Sequence, residues 1–342
     1  MIFKAYCTDQ HGNVLEEIKR RVSEGSGSRV ELNADSPLIV GAELEVYEIP
    51  PWVNGRQHRV HLFRGEEMLG EFVLSNNFTA TARGVKQGSI RLVDPLQRLS
   101  SQYPTRPIVA AQGANVVNFV AGLIRAAGEE RIEATPSSAT FRTPQLWEPG
   151  SDYSLLKICN EALASIGYWA VHTRAGKFII KPYLLPSQRP VAHEFIAGAG
   201  SLMVGEYDVD TSFLDVANRF IAFSPGYGED EEILVGVAEN RNPLSQFSYE
   251  RSGNQWFDQQ ESVEADSQAA IDLIAASRLI DLTGQNAYVE SISHMPIPGL
   301  WVNDRVYAET SAGDVIDAIV NEMTIPERGL ITAKWRKVIS LV

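Results

Sequence analysis

The stretch Trp147–Tyr183, WEPGSDYSLLKICNEALASIGYWAVHTRAGKFIIKPY, constrains the fold most, because its hydrophobic period changes once, at a glycine. Leu156, Cys159, Leu163 and Ile166 recur at spacings of three and four, which predicts one apolar stripe on a helix of about four turns. Ser151 stands as N-cap after Pro149-Gly150, and Asp152 lies near the positive end of the helix dipole. Gly167 ends the helix at C′, where a left-handed residue is needed. From there the period is two: Tyr168, Ala170 and His172 alternate with Trp169, Val171 and Thr173. Arg174-Ala175-Gly176-Lys177 predicts a turn, and Phe178–Lys181 a returning strand that Pro182 ends. A helix feeding a hairpin presents a surface; nothing in it has the pattern of a catalytic loop.

The first hundred residues read as β. Met1–Thr8 alternates, Val14–Arg21 is short and charged, and Arg29–Asn33 follows the flexible loop 24–28. Leu38, Val40, Leu44, Val46 and Ile49 mark a longer strand, with Glu43 and Glu45 together on its other face. Val60–Phe63 pairs across Gly65 with 68–74, and Thr79–Ala82 and Ile90–Val93 complete six to eight strands about ten residues apart, the pattern of a small barrel or sandwich. After Asp94-Pro95-Leu96 the chain turns helical, and Asn115 caps a helix from Val116 that Gly128 ends. Residues 96–190 thus form an α+β domain.

From Ala192 the chain is β again, with Ala217–Phe223 and Ile233–Ala238 around the acidic tip Glu229–Glu232. A helix at 266–283 and four strands, Ala287–His294, Asp304–Thr310, Val315–Met323 and Leu330–Ile339, close the protein. The expected organisation is mainly β with an α+β insert: a β domain at 1–95, the α+β domain at 96–190, and a second β domain at 191–342. Between Glu239 and Ser262 runs a polar segment with isolated aromatics, Phe247, Tyr249, Trp256 and Phe257. So long a loop is functional or mobile, and aromatics are favoured interface anchors, so these four are expected to meet a neighbouring subunit or another protein and to be poorly ordered in the isolated chain.

Chemistry is mostly absent from the pattern. The two cysteines, Cys7 and Cys159, lie far apart without metal-ligand spacing and read as buried thiols. His58 and His61, three apart on a strand, face opposite ways. Gly25-Ser26-Gly27-Ser28 does not fit a nucleophile elbow, and Gly198-Ala199-Gly200 lacks the third glycine and following helix of a dinucleotide site. Glu229-Asp230-Glu231-Glu232 reads as a solvated turn. No enzyme activity, metal or cofactor is expected. The net charge of −13 argues against a duplex-binding surface, which needs clustered Lys and Arg, and suits a wall past which nucleic acid slides. MIFKAYCTD has no secretory apolar core, and no window approaches the ~18 apolar residues of a membrane span, so folding in a cytoplasm is expected.

Five motifs in order resemble the baseplate hub, or tail-tip hub, family of tailed bacteriophages, often called minor tail proteins. Leu69-Gly70-Glu71-Phe72-Val73-Leu74 resembles its LGxF strand, and Val93-Asp94-Pro95-Leu96-Gln97-Arg98-Leu99 its VxDxxxxL boundary. The 147–168 stretch resembles its central helix and hairpin, and Asn242-Pro243-Leu244-Ser245 with the helix after it the segment before its last strands. Pro298-Gly299-Leu300-Trp301-Val302-Asn303-Asp304-Arg305-Val306 is similar to PxLxxGDxV, with Asn303 for glycine; asparagine tolerates the positive φ such a turn needs.

The resemblance implies a homotrimer in which each subunit gives two tube-like β-barrels flanking the α+β domain. Six barrels would adapt a six-fold tail tube to a three-fold tip and line the DNA exit channel. Expected partners are the protein itself, a tail tube or distal tail protein, tip, spike or fibre proteins, the tape measure protein, and DNA passing without specific binding. The location would be the virion tail tip, after assembly in the host cytoplasm. Channel-lining candidates are Glu43, Glu45, Asp314 and Asp317. Two other readings remain open: a distal-tail or similar adaptor, and a cell-wall-degrading tail enzyme, an activity expected to need an added domain.

Overall fold

Alternating burial organises the first β segment. In Val40–Val46 the side chains of Val40, Ala42, Leu44 and Val46 are buried, while Glu43 points outward. The computed structural model describes residues 2–341 except 21–26, 37, 48–49, 51, 83–84, 151, 199, 205–207, 212–215, 225–232, 266, 285–286, 310–312 and 314; side chains of 77–82, 85–87, 208–211, 287–288 and 290–291 are also outside the description. Ser151, Asp314 and the acidic tip at 229–232 therefore lie outside the described residues.

Phe3–Thr8 pairs antiparallel with Val14–Glu17 on one side and Arg59–Arg64 on the other. The order continues through Glu67–Ala82 and Val85–Val93 to Val40–Val46. The residues after Val14–Glu17 close the ring. The Ile18 amide donates to the Ala5 carbonyl at 2.8 Å, the Tyr47 amide donates to that of Lys19 at 3.0 Å, and Arg20 bridges to Val46. The strand spacing left a small barrel or a sandwich open, and the pairing makes it a barrel.

In the second β segment Arg305–Glu309, Val315–Pro326, Ile331–Lys337 and Ala287–His294 run antiparallel. Val191–Phe195 joins in parallel beside Arg305–Glu309. This segment is fused to the first. Arg29–Asn33 pairs with Val40–Val46 on one side and with Glu322–Pro326 on the other, so a single sheet of 14 strands runs through both. One apolar cluster, from Phe3 to Trp335, lies beneath it.

Two strands expected in the second barrel leave this sheet. Arg219–Ser224 and Leu234–Glu239 form a hairpin, extended in parallel by Asp258–Ser262 and covered by the helix Gln268–Gly284. Gly236 allows the close approach: a Cβ there would lie 2.5 Å from the Ile271 carbonyl oxygen. The expected long loop therefore contains a strand, and the second β segment carries an additional α/β layer with its own core.

The α+β unit has its own core too, running from Leu96 to Ile180. Its helix Leu155–Ala164 is shorter than the expected four turns; Ser154 caps it, accepting from the Lys157 amide at 3.3 Å. Leu156, Cys159 and Leu163 are buried on its inner face, with Ile166 packed at the edge. Gly167 at φ 68° turns the chain out, and the Tyr168 amide returns to the Leu163 carbonyl at 2.9 Å. The hairpin is His172–Arg174 with Lys177–Ile180, and Ala175 and Gly176 both have positive φ, as a two-residue turn requires. Helix Val116–Ala126 is capped by the Asn115 side chain, as its sequence indicates.

Candidate functional site

The expected channel face is the outward side of the fused sheet. Glu43 and Glu45 project there from Val40–Val46, since the intervening side chains fill the barrel. The face is mixed in sign rather than acidic. Glu43 lies in register between Arg29 and Arg91, and its carboxylate is 3.3 Å from the Arg29 guanidinium. Glu45 accepts from the Gly27 amide at 3.1 Å. Farther along, Glu322 stands in register with Lys334. Such cross-strand pairs stabilise an exposed face without giving it one charge. Asp317 is partly exposed and committed to Arg305, whose Nε and Nη2 donate to it at 2.9 and 2.7 Å.

The four expected interface aromatics divide. Phe247 is only 5% exposed and packs on Val216 and Ile339 within its own chain, a correction to its assignment as an anchor. Tyr249 and Trp256 pack against each other with ring centres 4.3 Å apart and planes tilted by 31°, with the Arg241 guanidinium over both rings and that of Arg219 over Trp256. Phe257 is half exposed. The segment is held rather than loose. Asn218 donates to the Gln255 carbonyl at 3.0 Å and accepts from the Phe257 amide at 2.8 Å, and the Tyr249 amide donates to the Asn240 carbonyl. Apolar contact and main-chain bonds thus order a stretch whose composition pointed to mobility.

Two buried charge groups join the parts of the chain. At the sheet junction Arg20 donates to Glu327 at 2.7 and 3.0 Å, and both side chains are almost fully buried. Between barrel and α+β unit lies a larger group. Glu71 meets Arg59 at 3.3 Å, His61 at 2.6 Å and Arg131, while Glu129 takes Arg59 and Arg98. Burial alone would raise the Glu71 pKa, but bonds from His61 and Arg131 hold it below the usual range. The hairpin turn docks here: a Cβ on Gly176 would lie 2.9 Å from a Glu71 carboxylate oxygen. Asp94 is fully buried beside it, accepting from the Leu96 amide at 2.9 Å and the Thr173 hydroxyl at 2.7 Å. Burial pushes its pKa up to about 6. Glu71, Asp94 and Arg98 lie in motifs noticed in the sequence, yet nothing local marked their charges as buried.

Cys7 and Cys159 are buried free thiols, raised by burial to about 11 and 12. Among the described residues no group of three or more His, Cys, Asp or Glu is arranged to hold a metal, and no helix is long and apolar enough to cross a membrane. His58 and His61 take separate partners, the Asn54 amide and Glu71.

No family model and no curated protein matches the sequence. Solved structures do resemble the fold. A tail protein from Neisseria meningitidis MC58 superposes with a TM-score of 0.69 at 12% identity, over 98% of this chain and 97% of that one. The 43 kDa tail protein of prophage MuSo2 from Shewanella oneidensis gives 0.65 at 8% identity, over 98% of both chains. Prophage tail protein gp18 from Listeria monocytogenes EGD-e gives 0.60 at 12%, over 99% of this chain and 96% of that one. The chain therefore has the mainly β fold of phage tail proteins, end to end.

Proposed function

We propose that the chain is a structural hub of a phage tail tip, a homotrimer whose copies each contribute two β bodies to a six-part ring around a DNA exit channel. The observation that supports this most is the edge fusion. Pairing of Arg29–Asn33 with Glu322–Pro326 makes the two β segments parts of one sheet, so a single chain supplies two adjacent portions of a wall. Three chains would supply six, which suits a six-fold tube above and a three-fold tip below. The tail proteins named above share the fold along nearly their whole length. The mixed face at Arg29, Glu43 and Arg91 also suits passage, because retaining a duplex takes clustered cations that are not countered by neighbouring carboxylates. On this reading the chain binds a tail tube or distal tail protein, tip, spike or fibre proteins and the tape measure protein, and resides in the virion. Mass measurement of the purified chain tests it. A trimer is expected; a hexamer would assign it to a distal adaptor, and a monomer that hydrolyses cell walls would assign it to an enzyme.

A further inference from the structure

Where the hairpin of the α+β unit faces the turn at 300–305, a cleft of about 500 Å³ opens, bounded also by Ala34, Ser36 and Ile39 of the first β segment. That volume falls within the ~300–1,000 Å³ typical of small-molecule sites, which favour junctions between units. In a chain of net charge −13, the cleft nonetheless gathers Arg174, Lys181, Arg189 and Arg305 against Glu133 and Asp304. Trp169 and Trp301 contribute two indoles to its walls.

Some of these charges are already committed. Arg305 is held by Asp317, and Glu133 by Lys177 at 3.1 Å. Arg189 donates to the carbonyls of Leu184 and Asn303, both at 3.1 Å, and lies 4.4 Å from the centre of the Trp169 ring. Lys181 and Arg174 are different. Lys181 is exposed, 5.9 Å from the Trp169 ring centre, and its ammonium has no hydrogen bond or ion pair among the described residues. Arg174 lies over Trp301 at 5.5 Å and gives one N–H to the Gly299 carbonyl, its remaining donors being free among the described residues. A guanidinium stacked on a ring keeps its edge for an oxyanion.

The same cleft holds acceptors and an amide. Asp304 accepts from the Trp301 amide at 2.8 Å through one oxygen, and burial raises its pKa against the pull of Arg174, Lys181 and Arg189. Asn160 accepts from the Val171 amide at 2.9 Å through its carbonyl, which leaves its NH2 to donate. Asp304 would repel a bare anion, yet it is the acceptor that a hydroxyl needs. A neutral sugar would leave two cations unused. We propose that this cleft binds an acidic sugar unit, its carboxylate met by Lys181 and Arg174, its hydroxyls by Asp304 and Asn160, and its ring by the indoles of Trp169 and Trp301.

This does not depend on the hub reading. The test titrates the full chain with glucuronate, glucose and inorganic phosphate, followed by calorimetry and tryptophan fluorescence. Glucuronate should bind saturably with a Kd of about 1 mM, and glucose and phosphate at least tenfold more weakly. Lys181→Ala and, independently, Arg174→Ala should each weaken glucuronate about tenfold. Asp304→Asn should weaken glucuronate but not phosphate. Glucose or phosphate binding as tightly as glucuronate would overturn the proposal. So would no saturable glucuronate binding by about 50 mM, or unchanged affinity in both cation variants.

Discussion

Between Arg29–Asn33 and Glu322–Pro326 the two β segments are joined by a main-chain ladder, with the Arg20–Glu327 pair beneath it. The α+β unit meets the first barrel differently: among the described residues none of its strands pairs with the barrel, and the contact centres on Glu71, Arg59, Glu129, Arg131 and Asp94. A ladder spreads its cohesion over several amides and carbonyls, so no single side chain decides it. A buried charge group concentrates cohesion in a few atoms whose balance must be kept, because an unpaired buried charge is costly. The junction is therefore expected to behave as one rigid body, and the α+β unit as a docked module whose attachment a single substitution can loosen.

Breaking the docking should give the largest effect. Glu71→Ala leaves Arg59 fully buried with only Glu129 opposite it, and a loss of about 3–5 kcal/mol is expected in denaturant unfolding. Hydrogen exchange should rise first in the hairpin His172–Ile180 and its neighbour Ile132–Ala134, with barrel amides still protected. Glu327→Ala should cost less, because the main-chain ladder remains and Arg20 keeps the Phe3 carbonyl and the Ser28 hydroxyl as acceptors, and should raise exchange on both sides of the junction together. Identical exchange patterns in the two variants would remove the distinction.

Inside the module the cost should be a packing one. Leu163 is fully buried in the α+β core, so Leu163→Ala should cost about 2–5 kcal/mol. An unchanged melting temperature would mean that this helix face is not a core face. The position was legible beforehand because periodicity reports burial locally: the 3–4 spacing found the stripe, Gly167 its end, and the Arg174–Lys177 turn its hairpin. The edge fusion was not legible. Val30 and Ile325 pair across almost the whole chain, and alternation tells a strand which face is buried but not which strand lies beside it. The docking group was hidden for a related reason: Arg59, Glu71 and Glu129 are separated in sequence, and only the fold brings them together. Asp258–Ser262, all exposed and polar, carries no apolar signal at all. Of the expected site, Glu43 and Glu45 do project outward, while Phe247 turned inward because an isolated apolar ring in polar sequence can close a small local core.

A pH series would sharpen the comparison further, because Asp94 belongs to the docking side alone. Its folded pKa, about 6, lies above the ordinary aspartate value of 3.8, since burial disfavours the carboxylate. A raised folded value contributes stability that is fully present below pH 3.8 and lost as pH rises through about 6, an interval worth about 3 kcal/mol. Glu71 works in the opposite sense: its pKa is depressed, so its contribution is present above the ordinary carboxylate range and lost on acidification through the folded value. Asp94→Asn should therefore remove the loss of stability between pH 4 and 6 while leaving the acid-side fall that Glu71 causes. A stability curve of unchanged shape in that variant would show that Asp94 does not titrate in this window.

The smallest effect on stability, and the most direct bearing on the proposed channel, belongs to the outer face of the ladder. Glu43→Lys with Glu45→Lys changes side chains that contribute nothing to the barrel interior, and substitutions of this kind usually move stability by within ~0.5 kcal/mol. Glu43 separates Arg29 from Arg91, so the substitution converts a countered pair of cations into an unbroken row of three across neighbouring strands. If this face lines the channel, phosphates would now meet clustered positive charge, and genome ejection from particles carrying the variant should slow, less so as salt rises. Ejection kinetics at two ionic strengths measure this. Normal rates at both would take Glu43 and Glu45 off the channel wall, while the ladder beneath them, which owes nothing to their charge, would hold the two β segments together as before.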